Sequence, residues 1–88
     1  MARTLILGNE DNLPTAVGSA TSLSSATVVR VANVSGSDAT LSQNPSVGSA
    51  TTFTITIPNG RVEYIEKKPT DVLYATGTIR AAKVGFTG

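Results

Sequence analysis

An all-β fold, a small antiparallel β-sandwich or barrel of about seven short strands, is what this chain predicts. Three observations carry that expectation. Phe53, Ile55 and Ile57 alternate with Thr52, Thr54 and Thr56, the two-residue period of a strand with one apolar and one hydroxyl face. Turn-forming clusters recur along the chain: Ser35-Gly36-Ser37-Asp38, Asn44-Pro45-Ser46-Val47-Gly48-Ser49, Pro58-Asn59-Gly60, Lys68-Pro69-Thr70-Asp71 and Thr76-Gly77. Between them, no apolar pattern holds a helical period for more than a turn or two.

Taken in order, residues 4–7 read as a short strand, followed by the polar turn Gly8-Asn9-Glu10-Asp11-Asn12. Leu13-Pro14 favours extended or loop backbone. From Leu13 to Ser25 no period is clean, so residues 1–25 form either an N-terminal arm or an edge strand, and residues 26–88 the sandwich core. Residues 26–34 are a strand with Val29 and Val31 on one face. Residues 39–43 return as a strand anchored by Leu41. Residues 51–67 form a β-hairpin reversed at Pro58-Asn59-Gly60, where proline presets φ and the next two residues tolerate positive φ. The rest of the chain is expected to pack on this hairpin. Residues 72–75 and 78–86 supply the last two strands. The expected core is Val29, Val31, Leu41, Phe53, Ile55, Ile57, Val62, Tyr64, Leu73, Ile79, Val84 and Phe86. Gly18-Ser19-Ala20-Thr21 recurs as Gly48-Ser49-Ala50-Thr51, which in a chain this rich in those residues reads as a coincidence of turn composition.

The chain has 88 residues, and a domain of that size buries only about 60–65 % of its unfolded surface. With no cysteine, neither disulfides nor a thiolate metal site can staple it, which makes a homo-oligomer the expected source of further buried surface. A net charge of +1 and 15 % charged residues, against about 25 % in ordinary domains, argue against an electrostatic nucleic-acid binder. The apolar runs are too short to span a membrane, and the first residues lack the pattern of a secretory leader.

Acid–base or nucleophilic catalysis has little to work with, because histidine and cysteine are both missing. Glu63 and Glu66 lie on opposite faces of a strand and cannot act as a carboxylate pair. Glu63 with Arg61 reads as a solvated charge pair, and Lys67-Lys68 as a turn carrying two solvated lysines. Glu10-Asp11 and Asp38 lack the spacing of a calcium loop, and no phosphate-binding glycine loop is present. The Asn33-Val34-Ser35 sequon matters only in a secreted chain. Phe53, Tyr64, Tyr74 and Phe86 read as core packing and not as a stacking platform. The expectation is a chain without enzymatic activity, cofactor or metal.

Ala26-Thr27-Val28-Val29-Arg30-Val31-Ala32-Asn33 with its Ser-Gly-Ser-Asp turn, and Val62-Glu63-Tyr64-Ile65-Glu66-Lys67-Lys68-Pro69-Thr70-Asp71 leading to Ala81-Ala82-Lys83-Val84-Gly85-Phe86-Thr87, resemble small virion proteins of tailed bacteriophages, particularly phages of marine cyanobacteria. The likeness covers residues 26–88. It implies a virion structural subunit, by preference a capsid decoration (cement) protein on the head surface, made in the cytoplasm of the infected host. Its partners would be the major capsid protein or neighbouring virion subunits. In that setting Leu5, Ile6, Leu7 and Leu13 are the expected anchors of an arm, and deleting residues 2–25 is expected to spare the core and abolish assembly. A tail or head–tail connector ring subunit and a carbohydrate-binding β-module are the competing readings.

Overall fold

The structure, a computed structural model, describes residues 3–47 and 52–87. Within them lie β1 (Arg3–Ile6), β2 (Asp11–Asn12), a 3₁₀ turn at Val17–Ser19, β3 (Val28–Asn33), β4 (Ala39–Asn44), β5 (Phe53–Ile57), β6 (Val62–Glu66), β7 (Val72–Ala75) and β8 (Ile79–Thr87). They form two antiparallel sheets, so the chain is all-β. Sheet A runs β1-β8-β3-β6, with β2 also paired to β8, and sheet B runs β5-β4-β7.

The core lies between the sheets. Val29, Val31, Ile79 and Ala81 come from sheet A, and Ala39, Leu41, Ile57, Leu73 and Ala75 from sheet B. Strand alternation turns these side chains to one face, and the alanines let the sheets approach closely. Cross-strand register aligns Val31 of β3 with Ala81 of β8 and Leu41 of β4 with Ala75 of β7.

Residues 13–26 close one flank of this sandwich. Leu13 N donates to Ile79 O at 2.8 Å, Ala75 N to Pro14 O at 2.9 Å, and Thr21 exchanges two main-chain bonds with Leu73 at 2.8 and 3.0 Å. Leu13 and Ala26 are both in the core. The segment then turns through Leu23, Ser24 and Ser25, all at positive φ, a left-handed turn closed by Ala26 N donating to Ser22 O at 3.1 Å. Three such non-glycine residues cost about 1 kcal/mol or more each. The closed flank offsets that cost through burial and hydrogen bonding.

The expected β5–β6 hairpin is not formed. β5 pairs with β4 and β6 with β3, so the strands belong to different sheets. Pro58-Asn59-Gly60 does reverse the chain, with Gly60 at φ 75° and Arg61 N donating to Pro58 O at 3.1 Å. The start of β6 is captured by β3 instead: Asn33 N donates to Arg61 O and Gly60 N to Asn33 O. Alternation specifies a strand's faces but not its neighbour.

Five expected core residues are exposed: Phe53, Ile55, Val62, Tyr64 and Phe86. Val62 and Tyr64 share the outer face of sheet A with Arg30 and Ala32, their partners across the β3–β6 ladder. Phe86 is opposite Thr4 on the same sheet. Phe53 and Ile55 point inward from β5 but lie beyond the area that sheet A covers. The expected polar turn at residues 8–12 contributes β2, which pairs with Ala81 and Arg80.

Candidate interaction surfaces

The outer face of sheet A carries a shallow groove of about 290 Å³ bordered by Ile6, Glu10, Arg30, Tyr64, Ala82 and Val84. Arg30 sits between Tyr64 of β6 and Ala82 of β8. The Glu10 carboxylate binds two guanidinium groups, accepting from Arg30 Nη1 at 3.1 Å and from Arg80 Nε at 2.9 Å. Those contacts lay the loop after β1 over β8 and β3. The Tyr64 ring stacks at a tilt on Phe86, with centroids 5.3 Å apart and planes at 58°, and its hydroxyl is 3.3 Å from Thr4 Oγ1. One aromatic side chain thus links β6 to the opposite edge of the sheet.

The flank beside β5 is open. Phe53 is 69 % and Ile55 49 % exposed, and with Leu41, Gln43, Thr54 and Ile65 they border an apolar groove of about 170 Å³. Strand alternation aims the Phe53 and Ile55 side chains toward sheet A, where Ile65 of β6 borders the groove but leaves both exposed. A third, polar cleft of about 440 Å³ lies along the closed flank, lined by Asn9, Asp11, Asn12, Pro14, Thr21, Leu23, Ser24 and Lys83.

Two polar groups are buried for structural reasons that their sequence context hides. Lys67 is only 6 % exposed, correcting its expected place in a solvated turn. Its ammonium donates to Asp71 O at 2.8 Å and Lys68 O at 3.3 Å. Burial holds its pKa below the ordinary value, with Lys83 adding to that effect and Asp71 opposing it. The Asp71 carboxylate in turn accepts from Gln43 Nε2 at 3.0 Å and Lys68 N at 3.2 Å. The pair therefore ties the β6–β7 turn to β4.

Asn33, 1 % exposed, has its amide inside the fold. It donates to Ser37 O and Ile57 O at 2.8 and 2.7 Å and accepts from Ser35 N and Ser35 Oγ at 2.9 and 2.7 Å. All its capacity is used in joining the β3–β4 turn to the end of β5. The sequon nitrogen is thereby consumed as a structural donor.

Of the residues expected to anchor an arm, Leu5, Ile6 and Leu7 are exposed. Leu5 and Ile6 belong to the edge strand β1, paired with Gly85 and Val84, and Leu7 N donates to Lys83 O at 2.9 Å. Leu13 is different: at 4 % exposure it is a core residue, because the main-chain bonds that flank it draw residues 13 and 14 between the two sheets. Arg61 and Glu63 are both exposed, and the ion pairs found among the described residues join Glu10 to the arginines at 30 and 80 instead. Among the described residues no group of three or more His, Cys, Asp or Glu is placed to hold a metal ion. The exposed patch at Phe53 and Ile55 was missed because a strand's apolar face reads as core whether or not another layer covers it. One sequence signal does mark this flank: residues 39–60 contain no charge.

No protein-family model, curated protein or solved structure matches the chain.

Proposed function

We propose that this chain is a non-enzymatic structural subunit of a tailed-phage virion, by preference a capsid decoration protein that binds the head lattice non-covalently. The observation that carries this reading is the placement of large apolar side chains at the surface of a rigid all-β body: Phe53 and Ile55 on an open flank, and Ile6, Tyr64 and Phe86 on sheet A. Contiguous exposed apolar surface of this kind suits a partner protein. A chain lacking histidine and cysteine is poorly equipped for catalysis, and the resemblance of residues 26–88 to small virion proteins supplies the setting. Weak contacts of a small subunit become strong when many copies engage one lattice.

Immunogold labelling of intact particles with an antibody against the chain tests this reading. Gold spread evenly over heads is the expected result. Label at the tail or neck would move the chain to the ring-subunit reading, and absence of the chain from particles would sink the virion assignment.

One observation favours a second reading, a carbohydrate-binding module. The Tyr64–Phe86 pair presents aromatic surface beside the polar groups of Glu10 and Arg30, a combination suited to a sugar face. Glycan binding lost in Tyr64→Ala with the fold intact would support it.

A further inference from the structure

Sheet edges expose main-chain donors and acceptors that template further pairing, and natural proteins guard them with charge or cover. The four edges of this sandwich are not guarded alike. Arg61, Glu63 and Glu66 flank or lie on β6, Arg3 lies on β1 and Asp11 on β2. The β7 edge is covered by Pro14 and Thr21 of the same chain. Among the described residues β5 has neither protection: its sequence is Phe-Thr-Ile-Thr-Ile, and no charge lies between Asp38 and Arg61.

The direction of its main-chain groups follows from its neighbours. Thr76 N donates to Thr40 O at 3.0 Å, so the main chain of Thr40 faces β7. Alternation turns that of Leu41 toward β5, and with it that of Ile55, its partner in register, toward β4. The N–H and C=O groups of Thr54 and Thr56 therefore point to the free edge.

We infer that two copies of this chain join through β5, paired antiparallel about a two-fold axis at Ile55, to make one sheet of order β7-β4-β5-β5-β4-β7. Under that operation Thr54 of one copy faces Thr56 of the other as a hydrogen-bonded pair, and Ile55 faces Ile55. Phe53 of one copy faces Ile57 of the other. Threonine pairs and apolar pairs both favour such a ladder, and like charges, which would oppose it, are absent. A second copy fits this edge in every position, in charge as well as in the parity of its side chains. The net charge of +1 per chain adds little long-range repulsion. Among the described residues each copy has one such edge, so the pairing closes at two. The contact covers less than the about 800 Å² per partner of a stable interface, so the dimer is expected to exchange with monomer as concentration changes. Such pairing does not depend on where the chain works.

Sedimentation velocity on the full chain over a concentration series tests it. The weight-average coefficient is expected to rise from the monomer toward the dimer value, and Ile55→Lys, which opposes two ammonium groups at the axis, is expected to remain monomeric with an unchanged circular dichroism spectrum. Two double variants at exposed positions give a test that does not require Ile55→Lys to fold. T54K/T56E sets each lysine against a glutamate of the other copy, whereas T54K/T56K sets lysine against lysine. The first is expected to associate about tenfold more tightly or better, a gap that narrows in high salt. A wild-type chain that stays monomeric throughout overturns the pairing. So does a folded Ile55→Lys that dimerises normally, or equal association of the two double variants.

Discussion

The flank beside β7 and the flank beside β5 are made from the same material, short alternating strands at the edge of one three-stranded sheet, yet one is sealed and the other is open. Beside β7, Leu13 and Ala26 enter the core and Thr21 pairs with Leu73. Beside β5, Phe53 and Ile55 project into solvent. The difference teaches that the sealed side carries the fold, and that the open side is free to carry an interaction. Cover comes from residues 13–26, a segment with no strand period of its own, and its left-handed turn at residues 23–25 shows that backbone strain is accepted to reach that position.

Removing residues 2–25 gives the largest expected effect. If the sealed flank carries the fold, the truncated chain should show no cooperative thermal transition, since Leu13 and the main-chain partners of Leu73 and Ala75 are all lost. A truncated chain with a native spectrum and a sharp transition would restore the idea of a separable arm. Next in size is a matched pair. Leu73→Ala, at a fully buried site, should cost about 3–5 kcal/mol in urea unfolding. Phe53→Ala should cost less than about 1 kcal/mol at concentrations where the chain is monomeric, because a mostly exposed ring gains little by folding. Equal losses would erase the contrast between the flanks.

The smallest effect sharpens the comparison through pH. Lys67 has a pKa lowered from 10.5, so between its folded value and the ordinary one the unfolded chain holds a proton that the folded chain has released. Stability should therefore rise with pH across that window, be complete above the ordinary value, and be lost as pH falls through the folded one. Chemical denaturation at a series of alkaline pH values, with Lys67→Met as reference, should show a slope in the wild type that the variant lacks. Parallel curves would mean that Lys67 is solvated after all.

Much of the fold was legible. The strands at residues 28–33, 39–44, 72–75 and 79–87 lie where alternation and turn chemistry put them. Val29, Val31, Leu41, Ile57, Leu73 and Ile79 are buried between the sheets as their periodicity implied, whereas Val84, expected in the same core, is buried on the outer face of sheet A beside Ala82. The separation of β5 and β6 into different sheets was not legible, because a turn at Pro58-Asn59-Gly60 serves a crossover between sheets as well as a hairpin. Nor was the burial of Lys67, whose pattern of neighbours is that of an ordinary polar turn. Its amine is inside because the Lys68–Asp71 turn folds its carbonyls over it.

Class, strand positions and side-chain parity were all written in the residues, since each depends on interactions within a few positions along the chain. Which strands become neighbours, which apolar faces find a cover, and where a polar side chain is enclosed depend on contacts between residues far apart in sequence. Asn33 shows both levels at once. Its place at the end of a strand follows from alternation and the turn residues after it, but its role as the buried link between the β3–β4 turn and Ile57 exists only once the two sheets have met.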